Sequence, residues 1–269
     1  MRIKELRALR RRAERERTGL FLAAGARVVG EALALGAPVE LLAAAPERMR
    51  GPFAQGLLAR ARRDGLPCLE LSATALAPLV EHDERQAVVA VVRQRWSWLD
   101  RLRPGPSDCW VALDAVQYPG NLGTVLRTAE AVGAAGLILL ERGADPHDPA
   151  AVRASMGALF GQRLVRAGFA DLAAWAGRHD VALVGSSPSG GLDYRAATYR
   201  RPLVLLLGSE AHGLSPAQLA ACQQVVRIPM AGRGDSLNLA VAAALLLYEV
   251  FRGAESASPC HPEPSPLSS

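Results

Sequence analysis

Apolar and polar positions fall in blocks along this chain rather than alternating singly. In the second half, apolar runs at residues 110–113, 137–140, 181–184, 203–207 and 225–228 are separated by helically spaced stretches near 123–132, 149–159, 171–178, 216–223 and 236–251. Strands without a polar face, interleaved with helices, predict a parallel sheet covered on both sides. The first half reads as helix 24–35, strand 39–45, helix 52–64, short strand 68–71, helix 73–80 and strand 87–92. Between the halves, Trp96-Ser97-Trp98 and Arg103-Pro104-Gly105-Pro106-Ser107 break any regular element and mark a linker. The expected fold class is therefore α/β, a larger domain with a mainly parallel sheet behind a smaller α/β domain. The expected boundaries are a basic helix at 1–18, a first domain at 19–95, a linker at 96–107, a second domain at 108–253 and a disordered Pro/Ser-rich tail at 254–269.

Half of the 269 residues are hydrophobic, enough for one sizeable core or two smaller ones. The most apolar segment, residues 237–251, is interrupted by Asn238 and Glu249 and is too short to span a bilayer. The charged N-terminus lacks the apolar core of a secretory signal, so a cytoplasmic protein is expected. Cys68, Cys109, Cys222 and Cys260 are widely spaced and form no C-x-x-C pair, which predicts buried free thiols and no metal site.

Charge changes the picture at one end. Residues 1–17 carry eight basic side chains against three acids, a difference equal to the +5 of the whole chain. Ile3, Leu6, Leu9 and Ala13 fall on one helical stripe, leaving the arginines to the other faces. Such a helix suits a polyanion, with Arg7, Arg10, Arg11 and Arg12 as candidate contacts; a solvated helix face is the alternative.

Candidate chemistry gathers just past three strand ends. After residue 113 the chain reads Asp114-Ala115-Val116-Gln117-Tyr118-Pro119-Gly120-Asn121-Leu122-Gly123, where Asn121 can cap a helix carrying Arg127 in its second turn. After residue 207 it reads Gly208-Ser209-Glu210-Ala211-His212-Gly213; glycine there allows close approach of a ligand, and Glu210 has no obvious helical partner. The third segment, Ile228-Pro229-Met230-Ala231-Gly232-Arg233-Gly234-Asp235-Ser236-Leu237-Asn238, hands a strand over to a helix that Ser236 can cap. No G-x-G-x-x-G, phosphate loop, H-E-x-x-H or G-x-S-x-G elbow accompanies these segments.

In this order and spacing, the three segments resemble the signature of SpoU/TrmH methyltransferases of the SPOUT class: Pro119-x-Asn121-x-Gly123 with Arg127, Gly208-x-Glu210 with Gly213, and Ile228-Pro229-Met230 with Ser236-Leu237-Asn238. Tyr118 departs from the pattern, standing where the family usually carries an acid. Residues 18–94 more loosely resemble the L30e-like substrate-binding domain of rRNA-modifying members, through Phe21-Leu22-Ala23-Ala24-Gly25, Val28 and Glu31-Ala32. The resemblance implies a trefoil knot, a homodimer, an RNA substrate and S-adenosylmethionine held around Gly208, Ile228, Met230 and Leu237. It also implies methyl transfer to a ribose 2′-hydroxyl, served by Asn121, Arg127, Glu210, Ser236 and Asn238. A guanidinium is a poor base, so Arg127 is read as a phosphate clamp and oxyanion stabiliser. Ribosomal RNA of the large subunit is the favoured substrate; transfer RNA, or RNA binding without catalysis, are the alternatives.

Overall fold

The computed structural model describes residues 3–80, 86–141, 143–234 and 236–255. Two short helices, α1 (Ile3–Ala8) and α2 (Arg12–Thr18), open the chain. A first domain follows: β1 (Leu20–Ala24), α3 (Ala26–Ala34), β2 (Val39–Ala44), α4 (Pro52–Arg63), β3 (Cys68–Glu70), α5 (Ala73–Leu76) and β4 (Val88–Arg93). Its four strands lie in the order β1-β4-β2-β3, with β4 antiparallel to both neighbours.

The second domain comprises β5 (Cys109–Asp114), α6 (Pro119–Ala131), β6 (Gly136–Leu140), α7 (Pro149–Ala154), β7 (Leu164–Ala167), α8 (Phe169–Arg178), β8 (Ala182–Ser186), β9 (Leu192–Asp193), β10 (Leu203–Leu207), α9 (Pro216–Ala221), β11 (Gln224–Arg227) and α10 (Leu239–Glu255). Its seven strands run β7-β6-β5-β10-β8-β11-β9, and every pairing is parallel. The central strands are continuous apolar runs because helices bury both faces: all five residues of β6 and of β10 are buried. From β5 the chain winds outward to β6 and β7, then returns to build β8 and β10 on the other side. The order therefore reverses between β5 and β10, and a crevice at the carboxyl ends of such strands is where open parallel sheets bind ligands.

Several expected elements differ. The basic helix is two helices: the chain turns at residues 9–11, and Arg15 points inward, 1% exposed, so the arginines are not all left to the solvent faces. Leu6 and Leu9 of the expected stripe are buried, whereas Ile3 and Ala13 are exposed. Arg2 and the tail from residue 256 lie outside the described residues. The start of helix 24–35 is instead the end of β1, which pairs along its whole length with β4. Helix 73–80 tightens into a 3-10 turn at Pro78, where proline removes a donor. Helix 149–159 stops at Ala154, because Met156 and Gly157 both adopt positive φ. The short strands β7 and β9 are additional.

The linker is less irregular than expected. Ser97 bridges to Val165 and donates its N–H to the Leu164 carbonyl at 2.8 Å, so the segment extends the edge of the large sheet. Residues 99–101 form a 3-10 turn, and Arg166 lies over the Trp96 ring at 4.0 Å. Apolar packing is continuous across the two sheets, with Phe21 of β1 against His147 and Phe160 of the second domain.

Candidate active site

The crevice between β5 and β10 is closed by three loops tied together through side chains. Glu210, just past β10, accepts the Gln117 N–H at 2.8 Å and a hydrogen bond from the Asn121 side-chain amide. The Asn121 carbonyl oxygen in turn accepts from the Asn238 amide at 3.2 Å. Asn238 Oδ1 accepts the N–H groups of Ala240 at 2.9 Å and Val241 at 3.4 Å, which fixes the side chain at the start of α10. One relay, Glu210–Asn121–Asn238, thus joins segments some ninety and more residues apart. Its outer members are pinned to backbone, so the middle amide has a single orientation.

Two expected caps are reassigned. Asn121 lies inside the first turn of α6, after Tyr118 and Pro119, and its side chain reaches across to Glu210 rather than capping its own helix. Proline at the first helical position needs no N–H, so the asparagine is released for the relay. Ser236 does not cap α10; Asn238 does. Arg127 falls in the third turn of α6 rather than the second, given the helix start at Pro119. It is exposed, and among the described residues its guanidinium holds no hydrogen bond or ion pair. Ser236 is exposed on the same terms.

Gly208 is explained by the chain itself rather than by a ligand. A Cβ there would stand 2.1 Å from the Gly213 carbonyl carbon and 2.3 Å from the Leu214 nitrogen. The loop folds back so closely because Ser209 and Gly213 exchange two backbone hydrogen bonds, at 3.1 and 2.9 Å. That turn is what presents Glu210. Gly123 is similar: its Cβ would lie 2.3 Å from the Ala151 carbonyl oxygen, so α7 can press directly on α6. Beneath the loop, Gln218 donates to Asp114 at the end of β5, at 2.9 Å, while forming a reciprocal capping box with Ser215.

The residues expected to hold the cofactor differ in their exposure. Gly208 is buried, Ile228 and Leu237 half-buried, and Met230 is 41% exposed. Among the described residues, the backbone N–H groups of Ile228, Met230 and Leu237 donate to nothing within the chain. Unspent backbone donors beside apolar side chains fit a nucleoside with a polar edge, which is how S-adenosylmethionine presents itself. Asp235 lies outside the described residues.

Other chemistry is less suited. Burial pushes the Cys109 thiol up to about 12 and the Cys222 thiol up to about 11, so neither supplies a thiolate at neutral pH. Of the expected buried thiols, only Cys109 is fully buried; Cys68 and Cys222 are half-buried, and Cys260 lies outside the described residues. Among the described residues, no cluster of three His, Cys, Asp or Glu side chains could hold a metal ion. No described helix is long and apolar enough to cross a membrane.

Residues 108–248 match the SpoU rRNA Methylase family, and residues 1–90 match the MRM3-like substrate binding domain. The chain belongs to the SpoU family. A SpoU relative, the 23S rRNA (uridine(2479)-2'-O)-methyltransferase of Streptomyces viridochromogenes, is 36% identical over 90% of this chain and 85% of its own. Another, the 23S rRNA (guanosine(2553)-2'-O)-methyltransferase RlmP of Bacillus subtilis, is 29% identical over 92% of this chain and 95% of its own. The SpoU methyltransferase AviRb from Streptomyces viridochromogenes, solved in complex with AdoMet, superposes with a TM-score of 0.86 at 35% identity, over 94% of this chain and 98% of that one. An AdoMet-bound rRNA methyltransferase from Sinorhizobium meliloti superposes with a TM-score of 0.85 at 36% identity. The resemblance read from the three motifs holds, as does the α/β fold with a large parallel sheet behind a smaller domain.

Sequence reasoning missed Gln117, whose part in the site is a backbone N–H, and the Asp114–Gln218 contact. The Ser215-x-x-Gln218 spacing was a legible capping signal for the second of these. The placement of Arg7, Arg10, Arg11 and Arg12 is mixed. Arg7 and Arg11 are exposed, Arg10 is half-buried and donates to the Pro78 carbonyl at 3.2 Å, and Arg12 donates to the Gly143 carbonyl at 2.7 Å.

Proposed function

We propose that this protein transfers the methyl group of S-adenosylmethionine to a ribose 2′-hydroxyl of large-subunit ribosomal RNA. The observation that carries the reading is the Glu210–Asn121–Asn238 relay, which gathers three polar side chains past the ends of the central strands, with Asn121 on the helix that also carries the exposed Arg127. Gly208, Ile228, Met230 and Leu237 would hold the cofactor, which supplies an electrophilic methyl group. In-line transfer needs no covalent enzyme intermediate, so orientation supplies much of the acceleration.

Each polar group then has a task that suits its surroundings. Arg127 is free to clamp the phosphate beside the target ribose with a bidentate fork and to stabilise negative charge growing on the hydroxyl oxygen. Asn121 and Asn238 hold the orientation of the acceptor side, with Glu210 anchoring Asn121. Ser236, exposed at the entry to α10, contacts the reacting end of the bound pair. Arg7 and Arg11 offer charge to the RNA backbone, while residues 19–95 serve as the substrate-binding domain and 108–253 as the knotted catalytic domain.

A second copy of the chain completes the assembly. Val241, Leu245 and Tyr248, spaced four and three residues apart on α10, are 49%, 37% and 53% exposed, and Tyr118 at the start of α6 is 63% exposed. An apolar stripe beside the site suits an isologous dimer interface. Light scattering on a Tyr248→Asp variant should show a monomer where the parent shows a dimer; a monomeric parent refutes the assembly.

Arg127→Lys tests the site. Lysine keeps the charge and loses the planar fork, so methyl transfer should fall by roughly a hundredfold while calorimetric affinity for S-adenosylmethionine is retained. Near-normal turnover removes the clamp role from Arg127.

A further inference from the structure

The N-terminal arginines spend much of their bonding capacity inside the protein, and the places they reach lead to the active site. We propose that Arg15 and Arg12 are positioning residues for methyl transfer, bracing from the N-terminal segment the two structures on which Gln117, Asn121 and Arg127 are mounted. This rests on the reading of α6 and Glu210 as the reaction site.

Arg15 is 1% exposed, and a buried guanidinium persists only where its donors are matched. Its Nε donates to Asp145 Oδ2 at 2.7 Å and its Nη2 to Asp148 Oδ2 at 3.2 Å, while Nη1 donates to the carbonyls of Leu9 at 3.1 Å and Arg10 at 2.7 Å. The last two bonds hold the turn between α1 and α2; the first two cross to the loop between β6 and α7. Asp148 Oδ1 accepts the Ala150 N–H at 3.0 Å, so the carboxylate that Arg15 grips is also the N-cap of α7. Helix α7 lies against Gly123 of α6 with no room for a side chain between them. Asn121 and Arg127 are on that helix.

Arg12 makes a second connection. Its Nη1 donates to the Gly143 carbonyl at 2.7 Å, and the next residue, Ala144, donates its N–H to the Val116 carbonyl at 2.5 Å. The residue after Val116 is Gln117, whose N–H reaches Glu210 at 2.8 Å. One arginine therefore backs the helix that carries the reacting groups, and the other backs the loop that anchors Glu210. Buried ion pairs contribute little net stability against apolar replacements, but they fix geometry. With its donors committed to Asp145, Asp148 and backbone carbonyls, Arg15 is withdrawn from phosphate binding, and Arg12, exposed, commits its Nη1 to Gly143 and its Nε to Glu16 at 2.9 Å.

The test compares wild type, Arg15→Lys, Arg12→Ala and Arg12→Lys in the full chain. Three quantities are read: single-turnover methyl transfer at saturating labelled cofactor and saturating unmodified ribosomal RNA, the Kd of each, and the salt slope of RNA binding. Bracing predicts transfer slowed roughly tenfold in Arg15→Lys and roughly threefold in Arg12→Ala, with Arg12→Lys close to wild type. Both dissociation constants and the salt slope should stay near wild type, which separates positioning from phosphate binding. Because Arg12 is exposed, its variants remain informative should Arg15→Lys fold poorly. Wild-type single-turnover rates in Arg12→Ala, with weaker RNA binding and a flatter salt slope, overturn the proposal in favour of a phosphate contact. A wild type that transfers no methyl group overturns the functional reading, and this one with it.

Discussion

Gly208→Ala would place a Cβ 2.1 Å from the Gly213 carbonyl carbon, 2.3 Å from the Leu214 nitrogen and 2.4 Å from the Gly213 oxygen. All three are backbone atoms, so no side chain can swing aside. Ordinary contact begins near 3.4 Å, and the return strand of the loop must retreat by about 1.3 Å. That displacement breaks the two Ser209–Gly213 bonds, lifts Leu214 from the core and moves Glu210 away from Gln117 and Asn121. Overpacking of about 1–3 kcal/mol together with two hydrogen bonds at about 0.5–1.5 kcal/mol each gives a loss of about 2–6 kcal/mol. A domain of this size loses about 2–4 °C per kcal/mol, so the melting temperature should fall by roughly 4–24 °C. Calorimetry should also show weaker S-adenosylmethionine binding, since Gly208 borders the proposed pocket. The control is Gly177→Ala on α8, where nothing lies within 4 Å of the new methyl and the helix should gain up to about 1 kcal/mol. A Gly208→Ala protein with parental melting temperature and cofactor affinity would refute the argument.

Other consequences are open to direct measurement. Glu210→Gln keeps the shape but turns an amide N–H₂ toward either the Gln117 N–H or the Asn121 amide; transfer should drop at least tenfold, about the 1.5–3 kcal/mol carried by a charge-assisted bond, and unchanged turnover would remove Glu210 from the relay. Asn238→Ala takes away both the Asn121 contact and the cap of α10; the loss should be about 1 kcal/mol in chemical denaturation alongside reduced turnover, and an effect on neither contradicts the assignment. Acid should loosen the junction between the domains. Burial raises the Asp145 carboxyl, but hydrogen bonds from His147 and Arg15 outweigh it and hold it well below the usual carboxylate range. Burial pushes the His147 imidazole down by more than Asp145 raises it. Both groups bind fewer protons folded than unfolded, so their stabilisation is complete above about pH 6.5, His147 begins to lose its share below that, and Asp145 below about pH 4. Melting temperature should therefore decline from pH 7.5 toward pH 4; a flat profile to pH 5 contradicts the His147 part.

How far the chain could be read from its sequence depended on whether a feature was local. Strand β10 was legible to the residue because it is five apolar residues buried on both faces, bounded by Pro202 and Gly208. The shorter strands β7 and β9 were not, since β7 buries only Leu164 and Val165 before Arg166 turns outward and β9 is two residues long. Strand β1 was hidden for a different reason: Leu20 to Ala24 runs into α3 through Gly25 with no polar break, and only pairing with β4, nearly seventy residues away, makes it extended. The motifs singled out Asn121, Glu210 and Asn238, which the fold brings into hydrogen-bonding contact, yet the local jobs of individual residues depended on distant partners. Asn121 and Ser236 both look like caps from local spacing, and only the position of Glu210 and Asn238 shows that one spans the crevice and the other leaves capping to its neighbour. Arg15 was the least legible, because a charge at a helical surface position is ordinarily solvated and its carboxylate partner lies 130 residues on.

The central claim is that the site around Arg127 methylates a ribose hydroxyl. The most direct measurement incubates the purified chain with methyl-labelled S-adenosylmethionine and unmodified ribosomal RNA, digests the RNA to nucleosides and separates them by mass. The account predicts that the label appears in a 2′-O-methylnucleoside with wild type and falls by roughly a hundredfold with Arg127→Lys. Label on a base, or equal 2′-O-methylation by the Arg127→Lys protein, would contradict it.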